Sequence, residues 1–231
     1  MACRRRDRRR ERILDIIYGH FKEALDALPL EHILTLVPHL LDAGVCFGFA
    51  DPVTNIIANT LCLVTDEDGD PNTKCVKKRK KALSAAETRE EVLSKIAVGD
   101  VPSPPEARTI AERSLKGLIV FLTTYFRHLP TENAMSYLYL ARADLLVAVR
   151  LIEIDRCLRQ KYQFCTLSHA IKAALRCAAL AARVPMVDSF LGAMFGLVSH
   201  LKLITQTVAA ESPRHLSHED VRYLSGLLKK P

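Results

Sequence analysis

Apolar positions near the start of the chain recur at three- and four-residue steps, through Ile13, Ile16, Ile17, Phe21, Ala24, Leu25 and Leu28. That spacing predicts an amphipathic helix over about residues 8–28 with arginines on its outer face, stopped by Pro29. A second helix is predicted from Leu30 to Ala43, kinked or tightened at Pro38, with Gly44 just past its end because glycine accepts a positive φ. Asp51-Pro52, an acidic N-cap followed by proline at the first helical position, opens a third helix carrying Val53, Ile56, Ile57, Leu61 and Val64.

Residues 66–73 (Asp-Glu-Asp-Gly-Asp-Pro-Asn-Thr) have nothing to bury and predict an exposed loop leading into a basic run at 74–81. A polar helix follows over about 84–98. Gly99 to Pro105 is the strongest break in the chain, and Ser103, Pro104 and Glu106 form a capping box that predicts a helix reaching about His128. Its segment 117–126 suits a strand by propensity, but the helical period outweighs that. Pro130-Thr131 opens a helix expected to run unbroken to about Leu158 along Leu138, Leu145, Val149 and Ile152. Thr166 or Ser168 caps an alanine-rich helix to about Arg183, and Pro185 begins the most hydrophobic one, with Phe190, Met194 and Leu197 on one side. Ser217 and Asp220 frame a last short helix. The expected fold is all-α, with eight or nine helices, no strand, and a small N-terminal helical part packed on a larger C-terminal bundle. The expected divisions are a basic N-terminal arm at 1–12, a three-helix part at 13–65, an acidic then basic loop at 66–83, and the bundle at 84–230.

Composition narrows this picture without changing it. With 49% apolar and 26% charged residues the chain is that of a folded protein, and 6% aromatics with no Trp gives a β-sandwich little support. The net charge of +7 is unevenly placed: residues 1–12 carry +5 and residues 74–81 carry +6, leaving −4 on the rest. Basicity that would otherwise suggest a nucleic-acid partner thus sits in two short segments. The seven cysteines are odd in number and lack a C-x-x-C pair, which favours a reducing compartment. Residues 189–201 fall short of the ~18 residues of a membrane span, so no membrane association is expected.

Sites with recognisable chemistry are missing. His215 and His218 have a zinc-like spacing but no accompanying cysteine pair. Asp66, Asp68 and Asp70 imitate a calcium loop, yet its glycine is misplaced and Lys77 stands where the bidentate glutamate belongs. No G-x-S-x-G, H-E-x-x-H, Walker lysine loop or dinucleotide turn occurs. Cys157, Cys165 and Cys177 are expected on core-facing helices, unsuited to a catalytic thiol. No enzyme activity, cofactor or metal is therefore expected. Gly192 and Gly196 are expected to let a neighbouring helix approach closely. Lys77, Lys78, Arg79, Lys80 and Lys81 match the basic run read by nuclear import, as well as plain solvated charge.

The segment Ala43-Gly-Val-Cys-Phe-Gly-Phe-Ala-Asp-Pro-Val-Thr-Asn-Ile-Ile-Ala-Asn-Thr-Leu61 resembles a signature of the plant PIR-like helical domain family. Residues 107–117 and 141–152 resemble its stand-alone members in grasses, and the likeness covers most of residues 12–228. The family is similar to the helical N-terminal region of certain plant RING-type ubiquitin ligases. This chain has neither the paired cysteines and histidines of a RING nor a long heptad coiled coil, so the resemblance implies an interaction module and not a ligase. Within the signature, Gly44 and Gly48 bracket a tight connection whose Phe47 and Phe49 are expected to pin the second helix to the third. Asp51 and Pro52 start that helix, and Asn55 and Asn59, one turn apart, share a face able to bond the adjoining loop backbone.

The expected function is a non-enzymatic protein–protein interaction module of the nucleus or cytoplasm, a RING-less relative of a ligase's N-terminal domain. The alternative is a nucleic-acid-associated factor using the basic arm and the 74–81 run.

Overall fold

Ile13, Ile17, Phe21, Leu25 and Leu28 all lie buried on one face, so the spacing seen in the sequence forms a helix, α1 (Ala2–Ala27), that presents a continuous apolar stripe to the core. The computed structural model describes residues 2–28, 30–62, 85–98, 108–156 and 168–209, together with Glu219, Tyr223, Leu224 and Gly226. Among the described residues every regular element is helical: α1 is followed by α2 (Leu30–Ala43), α3 (Pro52–Leu61), α4 (Ala85–Val98), α5 (Ile110–Tyr125), α6 (Thr131–Leu140), α7 (Leu145–Arg156), α8 (His169–Ala181) and α9 (Val187–Ala209).

Helix α5 is the centre of the assembly. Its buried Ile110, Leu115, Leu118, Phe121 and Leu122 make one broad apolar face, and it touches α1, α2, α4, α6 and α8. The closest partner is α8, whose inner face of Ile171, Ala174, Leu175, Ala178 and Ala179 is mostly alanine and lets the two axes approach. Helix α3 lies against α1, α2 and α9, and α9 leans on α8. One hydrophobic core runs through all of these helices, so the small N-terminal part and the larger bundle share it. Each fully buried Leu, Ile or Phe contributes about 1.5–3 kcal/mol to that core.

The basic N-terminal stretch continues α1 without a break from Ala2. Arg9 donates to Ser136 Oγ (2.6 Å) on α6, and Arg10 pairs with Glu112 (2.5 Å) on α5.

Three expectations need correction, two of them about helix ends. Helix α5 begins at Ile110, with Thr109 as its N-cap accepting from the Glu112 N–H at 3.2 Å; Ser103 lies outside the described residues. The helix expected from Pro130 to Leu158 is two helices. Helix α6 ends in a Schellman motif, in which the Ala143 N–H reaches Leu138 O (2.8 Å) and the Arg142 N–H reaches Tyr139 O (3.2 Å), and Asp144 Oδ1 then accepts the Val147 N–H (3.0 Å) to start α7. Arg142 (φ 53°) and Ala143 (φ 61°) are left-handed, a conformation costing about 1–2 kcal/mol for a residue with a Cβ. A bond of 2.9 Å between His20 Nε2 and Arg142 O ties this break to α1. Helix α8 ends in the same motif, with Arg183 at φ 53° where glycine is usual. The third correction concerns Gly192: a Cβ there would meet open space, so it is not a point of close helix approach.

Candidate functional site

The connection between α2 and α3 is buried although it is a loop: Val45, Cys46, Phe47, Phe49 and Ala50 are all shielded from solvent. Buried loop backbone needs hydrogen-bond partners, and here side chains supply them. Asn55, on α3, donates from Nδ2 to Ala50 O (2.7 Å) and Cys46 O (3.4 Å), while its Oδ1 accepts the Ala50 N–H (3.2 Å). One turn later Asn59 Nδ2 donates to Val45 O (2.7 Å) and Phe47 O (3.3 Å). From the other side, Ser114 Oγ on α5 accepts the Cys46 N–H at 3.2 Å. Asp51 caps α3 by accepting the Thr54 N–H (3.0 Å), with Pro52 at the first turn.

The two phenylalanines of the corner reach further than expected. Phe47 sets its ring edge-on to Phe190 of α9 (5.9 Å between centroids, 72°), and Phe49 meets Phe195 (5.5 Å). Both contacts tie the corner to α9. Three glycines make room: a Cβ on Gly117 of α5 would overlap the Phe47 ring, one on Gly48 would strike Asn55 and Met194, and one on Gly44 would lie 2.6 Å from Leu40 O and 2.9 Å from Thr60 Oγ1. The φ of Gly44 lies outside the left-handed region, so close approach, not the expected positive φ, calls for glycine there.

Beside the corner stands a residue that sequence reasoning missed. Arg113 of α5 donates from Nη1 to Leu41 O (2.8 Å), from Nη2 to Asp42 O (2.5 Å) and Arg183 O (2.9 Å), and from Nε to Ala182 O (2.7 Å). One guanidinium thereby closes the C-terminal ends of both α2 and α8, the positions where exposed carbonyls favour a cation. Partial burial holds the Arg113 pKa below its ordinary value, with the nearby Arg183 charge adding to the shift and Asp42 opposing it. No sequence pattern marks this role, because the carbonyls it joins belong to two distant segments.

Thiol chemistry is suppressed at the corner. Burial pushes the Cys46 thiol up to about 12 and the Cys62 thiol up to about 11, leaving both protonated at neutral pH. Cys177 is exposed on the outer face of α8, against the expectation of a core position. Cys157, Cys165, His215, His218, the acidic loop and Lys77 to Lys81 lie outside the described residues. Among the described residues no group of three or more His, Cys, Asp or Glu could hold a metal ion, and no helix is long and apolar enough to cross a membrane.

One helix presents apolar side chains outward. On α7, which packs chiefly on α6, Val147 and Ile154 are seven residues apart and therefore share a face, and they are 46% and 51% exposed. Leu140, at the end of α6, is 67% exposed.

Comparison with known proteins extends over this architecture. No curated protein and no solved structure matches the chain. A family model described as PIR2-like, helical domain matches residues 15–153, more than half of the 231 residues, from the second half of α1 through the corner and α5 into α7. The buried corner, the Arg113 clamp and the α6–α7 break all draw on residues of that span, and the chain belongs to the PIR2-like helical domain family.

Proposed function

We propose that the protein is a non-enzymatic protein–protein interaction module that receives an apolar segment of a partner on the outer face of α7. The observation that carries this reading is the pairing of Val147 and Ile154 on one helical face, two turns apart, with the rest of the apolar stripe of α7 turned inward through Leu145, Val149 and Ile152. Helix-in-groove recognition uses anchors at this seven-residue spacing. The buried corner fits a supporting role, since a rigid frame holds the binding face without itself reaching solvent. In this reading the chain is a relative of a ligase's N-terminal helical region that works without a RING, in the nucleus or cytoplasm.

The alternative, a nucleic-acid-associated factor, loses part of its cationic surface because Arg9 and Arg10 are engaged within the fold. Salt separates the two. Phosphate-driven binding weakens with a slope of about −0.9 per neutralised phosphate on duplex DNA, whereas apolar docking changes little. Retention of a partner on the immobilised full chain between low and high salt supports the protein-binding reading. Loss of the bound material with salt, together with recovery of nucleic acid in the eluate, refutes it.

A further inference from the structure

Anything that settles on Val147 and Ile154 must also cover Arg150. It stands three residues after the first anchor and four before the second, so all three side chains share the outer face of α7. The Arg150 side chain is 70% exposed and is held from beneath by Glu153, 7% exposed, through one long bond of 3.4 Å from Nη1 to Oε2. The second Glu153 oxygen is buried with no hydrogen-bond partner, so the anion lies under the face and the cation on it. The next acid along α7, Asp155, accepts from the Tyr137 hydroxyl of α6. An arginine carries five N–H donors, and among the described residues only Glu153 takes one from Arg150. An apolar segment laid across this face strips water from the others. A charge stripped of water without a partner outweighs the burial of two half-exposed aliphatic side chains.

From this we infer that the occupant of the α7 face is an acidic amphipathic helix of a partner protein. Two of its apolar residues, seven apart, reach Val147 and Ile154, and an aspartate or glutamate between them takes the outward donors of Arg150. The inference rests on the α7 reading above and adds to it the charge of the partner. A carboxylate fits the planar fork of a guanidinium with two parallel bonds. Arg150 then bridges the partner's carboxylate and Glu153, which holds it on the face before the partner arrives. A second copy of this chain fits worse. Antiparallel packing of α7 on itself sets Val147 of each copy against Ile154 of the other, but it brings the two Arg150 side chains together at the two-fold axis. A basic helix meets the same repulsion.

The test selects binders to the immobilised full chain from a displayed library of helical peptides of about 18 residues, long enough to hold a helix in water. Leucines are fixed seven apart and the positions between them are randomised. Enrichment of Asp and Glu over Lys and Arg at those positions is expected, and changing the selected acid to Lys weakens the peptide roughly fivefold, the order of one partly exposed ion pair. Arg150→Glu is expected to invert the preference toward Lys and Arg. Arg150→Gln combined with Glu153→Gln leaves no buried charge unpaired and is expected to abolish it, with circular dichroism reporting that each variant is folded. Absence of a charge preference on the unaltered chain, or the same acidic preference in both variants, overturns the inference. In that case peptides that are lost from the Val147→Glu, Ile154→Glu chain leave the α7 reading standing, whereas peptides that bind this chain undiminished overturn the face as well. Enrichment of no helix at all overturns both. Concentration-dependent dimerisation in sedimentation, abolished by Ile154→Glu, makes the second copy the occupant and overturns the acidic helix.

Discussion

Gly117 and Gly192 both sit inside helices, and replacing each with alanine is expected to move stability in opposite directions. In an exposed helix interior the change gains about 1 kcal/mol, because alanine restricts the unfolded chain and suits the helix. At Gly192 nothing lies within 4 Å of the new methyl, so that gain is realised. At Gly117 the methyl overlaps the Phe47 ring, which is fully buried and held edge-on against Phe190, so it has nowhere to retreat. Overpacking of that kind costs about 1–3 kcal/mol beyond the propensity gain. With about 2–4 °C of midpoint per kcal/mol for a chain of this size, Gly192→Ala is expected to raise the thermal midpoint by roughly 2–4 °C and Gly117→Ala to lower it by a similar or larger amount. Far-UV circular dichroism with urea and thermal melts reads both. Combining Gly117→Ala with Phe47→Leu supplies the control, since a smaller residue at 47 relieves the overlap and the double variant loses less than the sum of the singles. Shifts of the same sign and size at positions 117 and 192 refute the packing assigned to the corner.

Further outcomes follow from the same geometry. Asn55→Ala leaves the Ala50 N–H and C=O and the Cys46 carbonyl without this buried partner and is expected to cost roughly 2–5 kcal/mol in urea denaturation; a loss under 1 kcal/mol contradicts the clamp. Burial raises the Asp144 pKa, with Asp51 adding repulsion, so its ionised form weakens the fold above that pKa. Asp144→Asn keeps a capping oxygen for Val147 and is expected to raise the urea midpoint at pH 7 but not below pH 4; an equal gain at both pH values excludes the ionisation as its cause. At pH 8 iodoacetamide is expected to modify Cys177 and spare Cys46 and Cys62, which peptide mass mapping would read; modification of Cys46 as fast as Cys177 would contradict its burial. Because the folded Cys46 pKa of about 12 exceeds the ordinary 9.0, its contribution is intact below pH 9 and is lost as pH rises toward 12. Cys46→Ala removes that part of the alkaline loss.

The helical fold and the start of α3 were legible because their causes are local. The stripe from Ile13 to Leu28 follows the helical period, and Asp51-Pro52 carries its own capping chemistry. Thr109 and Glu112 have the same capping-box spacing in the sequence as Ser103 and Glu106, and spacing alone does not rank the two. The α6–α7 break has no glycine or proline to announce it. Arg142 and Ala143 adopt left-handed angles within a helix end that His20, more than a hundred residues away, helps to hold. Glycine letters alone were equally ambiguous: Gly117 admits a phenylalanine ring and Gly192 faces open space, a difference that only the packed neighbours decide. Arg113 belongs to the same class, since its four acceptors come together only on folding.

Partner capture by a chain carrying Val147→Glu and Ile154→Glu, compared with the unaltered chain at matched folded concentration, tests the interaction reading most directly. Both positions are about half exposed, so the double variant is expected to keep its circular dichroism spectrum and unfolding midpoint. Loss of the salt-resistant partner from the variant is the predicted result. Capture of the same partner in the same yield by both chains contradicts it.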